Sequence, residues 1–170
     1  LALVTELSPE HISAYSLILE EGTPLYDRRK EYRFPTEEED RAMYQLTKEY
    51  LGRQGYERYE ISNYAKDGYA CRHNQVYWRR GDYVGFGLGA ASMVSDVRWS
   101  MPAQMDAYQE CVEAMEENVK GGCLQGSGQK QELTIKEQME EFMFLGLRMM
   151  CGVESSAFYD KFGQHVEEVY

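Results

Sequence analysis

The residues most capable of chemistry lie in one ten-residue segment, residues 71–80, with the sequence CRHNQVYWRR. The segment holds one of the chain's three histidines, two large aromatic side chains and three arginines. No acidic residue occurs from Gly68 to Gly81, although the chain carries a formal net charge of -11. An imidazole nitrogen can ligate iron, aromatic faces can cover a macrocycle, and guanidinium groups can pair with carboxylates. The segment therefore has the chemistry needed to hold a flat, largely apolar dianion such as heme.

The spacing within this segment places its imidazole and its phenol on one face. His73 and Tyr77 are four residues apart, which is a same-face separation in a strand and also in a helix. We predict a short strand over residues 72–79. Spacing alone leaves two interpretations open, a ligand-binding imidazole and a hydrogen-bonded structural histidine. In a strand, the two faces would be Cys71, His73, Tyr77 and Arg79 on one side and Asn74, Trp78 and Arg80 on the other.

Two further groups of residues are weaker candidates for chemistry. The glycine-rich stretch GDYVGFGLGAAS (81–92) has no following lysine and no amphipathic helix that begins at once, so it indicates a tight bend rather than a phosphate cradle. The four cysteines are too far apart for a CxxC or CxxxCxxC motif, and they predict reduced thiols rather than a zinc or iron–sulfur site. These cysteines are Cys71, Cys111, Cys123 and Cys151.

Composition limits the class of protein. The chain has 170 residues, 43% hydrophobic and 28% charged, which is typical of a folded core rather than disorder. No apolar run approaches the ~20 residues of a membrane span, and no export signal is visible. The acidic balance argues against nucleic-acid binding, because neutralising phosphates requires a basic face. We expect a cytoplasmic protein and, since both ends lack terminating signals, a fragment of a longer one.

The elements that must position the segment alternate between short strands and helices. Thr36 and Thr134 each begin a capping box and predict helices that start just after them. A third helix is predicted after Pro102 by apolar residues at three- and four-residue steps. Residues 121–128 (GGCLQGSG) predict a linker. Besides 72–79, strands are predicted over residues 11–19, 56–61, 82–87 and 91–98.

Five segments together resemble one known family. They are HISAYSLILEEGTPLY (11–26), YEISNYA (59–65), CRHNQVYW (71–78), GDYVGFGLGAAS (81–92) and FMFLGLRMMCGV (142–153). In this order they resemble the C-terminal half of HemW-type proteins, the heme chaperone branch of the oxygen-independent coproporphyrinogen III oxidase family of radical SAM proteins. The histidine-asparagine-x-x-tyrosine-tryptophan signature is the specific part, and it distinguishes this branch from true coproporphyrinogen oxidases.

The resemblance implies an α+β fold. Residues 1–20 would be the last helix–strand piece of a partial (β/α) barrel, and residues 21–120 an α+β region with a small antiparallel sheet. Residues 121–130 would form a glycine-rich linker, and residues 131–170 an incomplete helical, winged-helix-like domain. The 4Fe-4S cluster and S-adenosylmethionine would belong to the full-length parent only, because the CxxxCxxC motif is absent from this chain.

The resemblance also implies a site. His73 would ligate heme iron, Asn74, Tyr77 and Trp78 would complete the motif, and Arg72, Arg79 or Arg80 would lie near the propionates. A heme-acceptor protein would be the partner. Many relatives have a proline and a histidine where this chain has Leu88 and Ala91, which leaves a second axial ligand without a candidate. Two alternatives stay open: a parent that decarboxylates coproporphyrinogen III, and a non-catalytic lid or docking module.

Overall fold

The chain folds into two compact units. The computed structural model describes residues 1–120 and 130–170, and the predicted linker, residues 121–128, lies outside them. The units comprise residues 1–71 and residues 72–170. They do not follow the domain boundaries expected after residues 20 and 120, which remain a prediction about the parent's architecture. No helix in the described ranges is long and apolar enough to cross a bilayer.

The first unit is a three-stranded antiparallel sheet with helices. The strand order is β1-β3-β2, and α3 packs against β2. Its small core consists of Ile12, Leu51, Tyr56 and Tyr64. The elements are α1 (Ala2–Glu6), β1 (His11–Ser13), α2 (Pro24–Asp27), a 3-10 turn (Arg29–Glu31), α3 (Glu37–Arg53), β2 (Glu57–Arg58) and β3 (Asn63–Ala65).

The start of α3 is set by its sequence. Thr36 Oγ1 accepts a hydrogen bond from the Glu39 backbone N–H, and the Glu39 carboxylate accepts one from the Thr36 N–H. This is the predicted capping box. The helix ends at Arg53, and Gly55 follows with φ +83°, a conformation that glycine adopts without strain.

The described residues of the second unit form another antiparallel sheet and five helices. The strand order is β4-β5-β6, and Trp99, Met101 and Cys111 form its buried cluster. Ser95 and Asp96, both with positive φ, make the two-residue turn between β4 and β5. The elements are α4 (Arg72–Trp78), β4 (Ala91–Val94), β5 (Val97–Ser100), α5 (Met105–Lys120), β6 (Lys130–Glu132), α6 (Ile135–Gly146), α7 (Ser155–Phe162) and α8 (Val166–Val169).

The helical end of this unit begins at the second predicted capping box. The backbone N–H and the hydroxyl of Thr134 donate to the Glu137 carboxylate, and these bonds hold the pKa of that carboxyl below its usual range. Helix α6 packs against α4 and α7. Between α6 and α7, the Phe142 ring lies 5.6 Å from the centroids of both Phe158 and Phe162.

Several predicted strands are wrong in type or length. Residues 72–78 form a helix, not a strand. The strand predicted over residues 11–19 pairs only at 11–13, because β3 offers three partners. Within residues 82–87 only Tyr83 pairs, by one bridge to Met93, since glycines interrupt the stretch. The strand predicted over residues 56–61 is reduced to β2, and the single strand predicted over residues 91–98 is a hairpin.

Candidate functional site

The signature lies on helix α4 and therefore has two faces rather than two sides of a strand. Seven residues make two turns, so His73 and Tyr77 share one face and Asn74 and Trp78 share another. The prediction that the imidazole and the phenol share a face is confirmed, although the predicted strand is not. Arg79 does not join the His73 face as the strand would have required.

The first face carries three aromatic rings in successive contact, those of His73, Tyr77 and Tyr83, which we call the aromatic ladder. The His73 ring meets the Tyr77 ring edge to face, with centroids 4.9 Å apart. The Tyr77 ring in turn meets Tyr83 at 4.7 Å. His73 is exposed, whereas both tyrosines are half-buried. The His73 ring makes no hydrogen bond to residues 1–115 or 130–170, whose side chains the structure describes. An exposed imidazole with free nitrogens beside an aromatic wall can ligate a metal ion or accept a flat ligand.

The second face anchors the helix to the rest of its unit. The Arg148 guanidinium lies over the Trp78 ring, 4.3 Å from the centroid. Trp78 also lines a cleft of about 270 Å³ with Phe142, Met149 and Val153. Sites for drug-sized ligands are usually about 300–1,000 Å³. This cleft is therefore too small to enclose a macrocycle.

The three arginines of the segment occupy different environments. Arg72 and Arg79 are exposed and can reach a solvent-side anion. Arg80 is buried and forms ion pairs with Asp96 at 2.5 Å and Glu141 at 3.1 Å. The expectation that Arg80 lies near a propionate is corrected, because its buried guanidinium already pairs with the carboxylates of Asp96 and Glu141.

The glycine-rich stretch is a tight bend, as predicted. A Cβ at Gly85 would lie 2.3 Å from the Ala91 carbonyl oxygen, so only glycine permits this close approach. The Gly85 N–H donates to Ser92 Oγ at 3.0 Å. Gly87 adopts φ +102° and follows Phe86, which is 89% exposed. The bend places Tyr83 against Tyr77 and leaves an apolar side chain in solvent.

Side chains that could bind a metal ion do not cluster in the described part of the chain. No group of three or more His, Cys, Asp or Glu side chains there could hold a metal ion. Cys71 and Cys151 are free thiols, and Cys123 lies outside the described residues.

Sequence reasoning missed four residues that shape the site: Tyr83, Asp96, Glu141 and Arg148. Glu141 lies 61 residues from its partner Arg80, and Arg148 lies 70 residues from its partner Trp78. No local spacing rule connects residues so far apart in sequence. The position of Tyr83 could have suggested its place in the site, since it lies between the signature and the glycine bend in sequence. Asp96 had a weaker signal, as an acidic residue at a turn position.

The comparisons with known proteins define the class first. Residues 133–170 match the family model described as the HemN C-terminal domain. The chain also shares its fold with the structure titled "Coproporphyrinogen III oxidase (HemN) from Escherichia coli is a Radical SAM enzyme", with a TM-score of 0.65. That alignment covers 96% of this chain and 39% of the other at 14% identity, so it supports the fold alone.

The relatives then narrow the family. The chain is 32% identical over 167 residues to the heme chaperone HemW of Lactococcus lactis, and 34% identical over 166 residues to that of Bacillus subtilis. These alignments cover 97% and 96% of this chain but 41% and 42% of the relatives. The chain thus spans about two fifths of their length. The predicted similarity to HemW-type heme chaperones and to the HemN C-terminal domain is confirmed.

Proposed function

We propose that this chain is the heme-holding part of a HemW-type chaperone, with heme as the cargo and His73 as its iron ligand. The observation that carries the proposal is the state of His73. A structural histidine would be buried and hydrogen-bonded, but this ring is exposed and makes no hydrogen bond among the described residues. Tyr77 fixes its orientation by edge-to-face contact.

The surrounding side chains suit the remaining parts of the ligand. The Tyr77 and Tyr83 rings form an apolar wall that can exclude water from one side of a macrocycle. Arg72 and Arg79 are exposed cations that can pair with propionates. Asn74 and Trp78 lie on a different face of the helix, where Trp78 packs against Arg148. The signature therefore divides into ligand-contacting and helix-anchoring halves.

The wider architecture follows from the same proposal. Residues 1–20 would be the end of the parent's (β/α) barrel and residues 131–170 a winged-helix-like module. The cluster and S-adenosylmethionine would be bound in the parent outside this chain. A cytoplasmic heme-acceptor protein would receive the cargo. The names of the relatives and the similarity to the HemN C-terminal domain support these assignments.

A heme titration of the full-length parent tests the proposal. His73→Ala should weaken binding at least tenfold and change the Soret band. His165→Ala is a matched control, because His165 also stacks on a tyrosine of the same unit, with ring centroids 4.6 Å apart. It should leave the Soret band and the affinity unchanged. Equal binding by wild type and His73→Ala would reject His73 as ligand.

A second candidate is the oxidative decarboxylation of coproporphyrinogen III by the parent. The fold shared with the Escherichia coli enzyme favours it. Anaerobic turnover by reconstituted full-length protein would support this activity, and a consistent lack of product alongside intact heme binding would reject it. The third possibility, a lid or docking module, predicts that neither heme binding nor turnover depends on His73.

A further inference from the structure

Arg80 ends helix α4 in a backbone conformation that usually belongs to glycine. Its φ is +53°. The Arg80 N–H donates to the Tyr77 carbonyl at 3.0 Å, and the Gly81 N–H donates to the Val76 carbonyl at 2.8 Å. This pair of bonds is the Schellman motif, in which the left-handed position is normally glycine because a Cβ is strained there. An arginine at this position indicates that its side chain is needed.

The Arg80 side chain belongs to a charge cluster formed by Arg80, Asp96, Arg98 and Glu141, in which Arg80 and Glu141 are buried and the other two are partly exposed. Arg80 Nη1 contacts Asp96, Arg80 Nε contacts Glu141, and Arg98 contacts Glu141 at 2.9 Å. The two positive and two negative charges balance. The Arg80 side chain is 1% exposed and that of Glu141 is 10% exposed. Losing one partner would leave a buried charge poorly compensated, so the cluster favours a single arrangement.

The cluster connects α4 to two other elements of its unit. Asp96 lies in the turn between β4 and β5, and its backbone carbonyl accepts from the Leu133 N–H at 3.0 Å, just after β6. Glu141 lies on α6. An isolated helix of seven residues is marginal in water, so the direction of α4 depends on such anchors. His73 lies in the first turn, opposite the anchored end, where a small tilt of the helix moves its ring furthest.

We infer that Arg80 is a positioning residue for the ligand-binding face of α4, acting through the helix on His73. This inference rests on the proposed function, since it assumes that His73 meets the cargo. The structure shows the anchor directly: one guanidinium, two carboxylates and a capped helix end. Groups that hydrogen-bond a metal-ligating histidine directly change metal affinity by about 10- to 100-fold when they are removed, and we take the lower end for an anchor that acts through the helix.

The test uses Arg80→Gly in the full-length protein, because glycine satisfies the turn while the guanidinium is lost. Heme affinity should fall about tenfold or more, with an altered Soret band. Arg80→Lys, which keeps the charge, should restore part of the affinity. Lys136→Met is the control: it removes an exposed cation of the same unit that pairs with Glu140 rather than with the cluster, and its affinity should stay within about threefold of wild type. Circular dichroism and thermal unfolding verify that each variant is folded.

The decisive comparison repeats Arg80→Gly in a His73→Ala background. If Arg80 acts through His73, the second substitution should cause less than a twofold further loss of heme affinity. An equal loss in both backgrounds, or wild-type affinity of folded Arg80→Gly, would overturn the inference. Wild-type binding by His73→Ala alone would instead overturn the proposed function. If Arg80→Gly does not fold, Asp96→Asn carries the same comparison, because its side chain is 37% exposed.

Discussion

Replacing Gly146 with alanine should destabilise the second unit, against the usual preference for alanine in helices. Gly146 is the last residue of α6, and a Cβ there would lie 2.6 Å from Val153 Cγ2. Valine is stiff at χ1, so this methyl group cannot easily turn away. Overpacking of this kind costs about 1–3 kcal/mol, whereas the gain in helix propensity is at most about 1 kcal/mol. We expect a net loss of about 1 kcal/mol in the free energy of unfolding, within a range of about 0–2 kcal/mol if the full propensity gain is realised.

Urea unfolding followed by tryptophan fluorescence measures this change selectively, because both tryptophans, Trp78 and Trp99, lie in the second unit. Gly52→Ala is the matched control. Gly52 lies in α3 with no atom within 4 Å of the added Cβ, so its replacement should stabilise the first unit by up to about 1 kcal/mol, measured by circular dichroism. In a Val153→Ala background, which lacks the Cγ2 methyl group, Gly146→Ala should cost about 1 kcal/mol less stability than in wild type. Stabilisation by Gly146→Ala comparable to that by Gly52→Ala would refute the reasoning.

Two further predictions concern the aromatic ladder and the cap of α6. Tyr77→Leu removes ring contacts with His73 and Tyr83 worth about 0.5–1.5 kcal/mol each, so the second unit should lose about 1–3 kcal/mol of stability. Heme affinity should also fall, because the aromatic face beside His73 is lost, while Tyr77→Phe keeps the rings and its affinity should stay within about twofold of wild type. Identical heme titrations for Tyr77→Leu and Tyr77→Phe would argue against a role of the aromatic ladder in holding heme. Glu137→Gln should lower the stability of the protein at neutral pH and have no effect in acid. The pKa of Glu137 is lower in the folded protein than its ordinary value near 4.5, so the carboxylate stabilises the fold fully at pH values above 4.5. This stabilisation is lost as the pH falls through the pKa of the folded protein. Urea unfolding across a pH series checks this, with Glu140→Gln as the exposed control, and a pH-independent difference between Glu137→Gln and wild type would contradict it.

Local rules predicted the parts of the fold that depend on local interactions. Both capping boxes form where Thr36 and Thr134 indicated, because each needs only residues three positions apart. The glycine bend forms because Gly85 must approach the Ala91 carbonyl closely. The common face of His73 and Tyr77 was predictable under either secondary structure, since a separation of four suits both periods.

The secondary structure of the signature was not predictable in the same way. Its aromatic and β-branched residues favour strands, but α4 is stabilised by tertiary contacts with α6 and by its capped end. The burial of Arg80 also escaped sequence reasoning, because its partners Asp96 and Glu141 are distant along the chain. Arg80 was therefore predicted to lie near a bound ligand, although its side chain is buried in the interior.

The central claim, that His73 ligates heme iron, is tested most directly by resonance Raman spectroscopy of the ferrous heme complex of the full-length protein. We predict an iron–histidine stretching band in wild type and in His165→Ala. The band should be absent from His73→Ala and should return when free imidazole is added to that variant. An unchanged iron–histidine band in His73→Ala would contradict the claim.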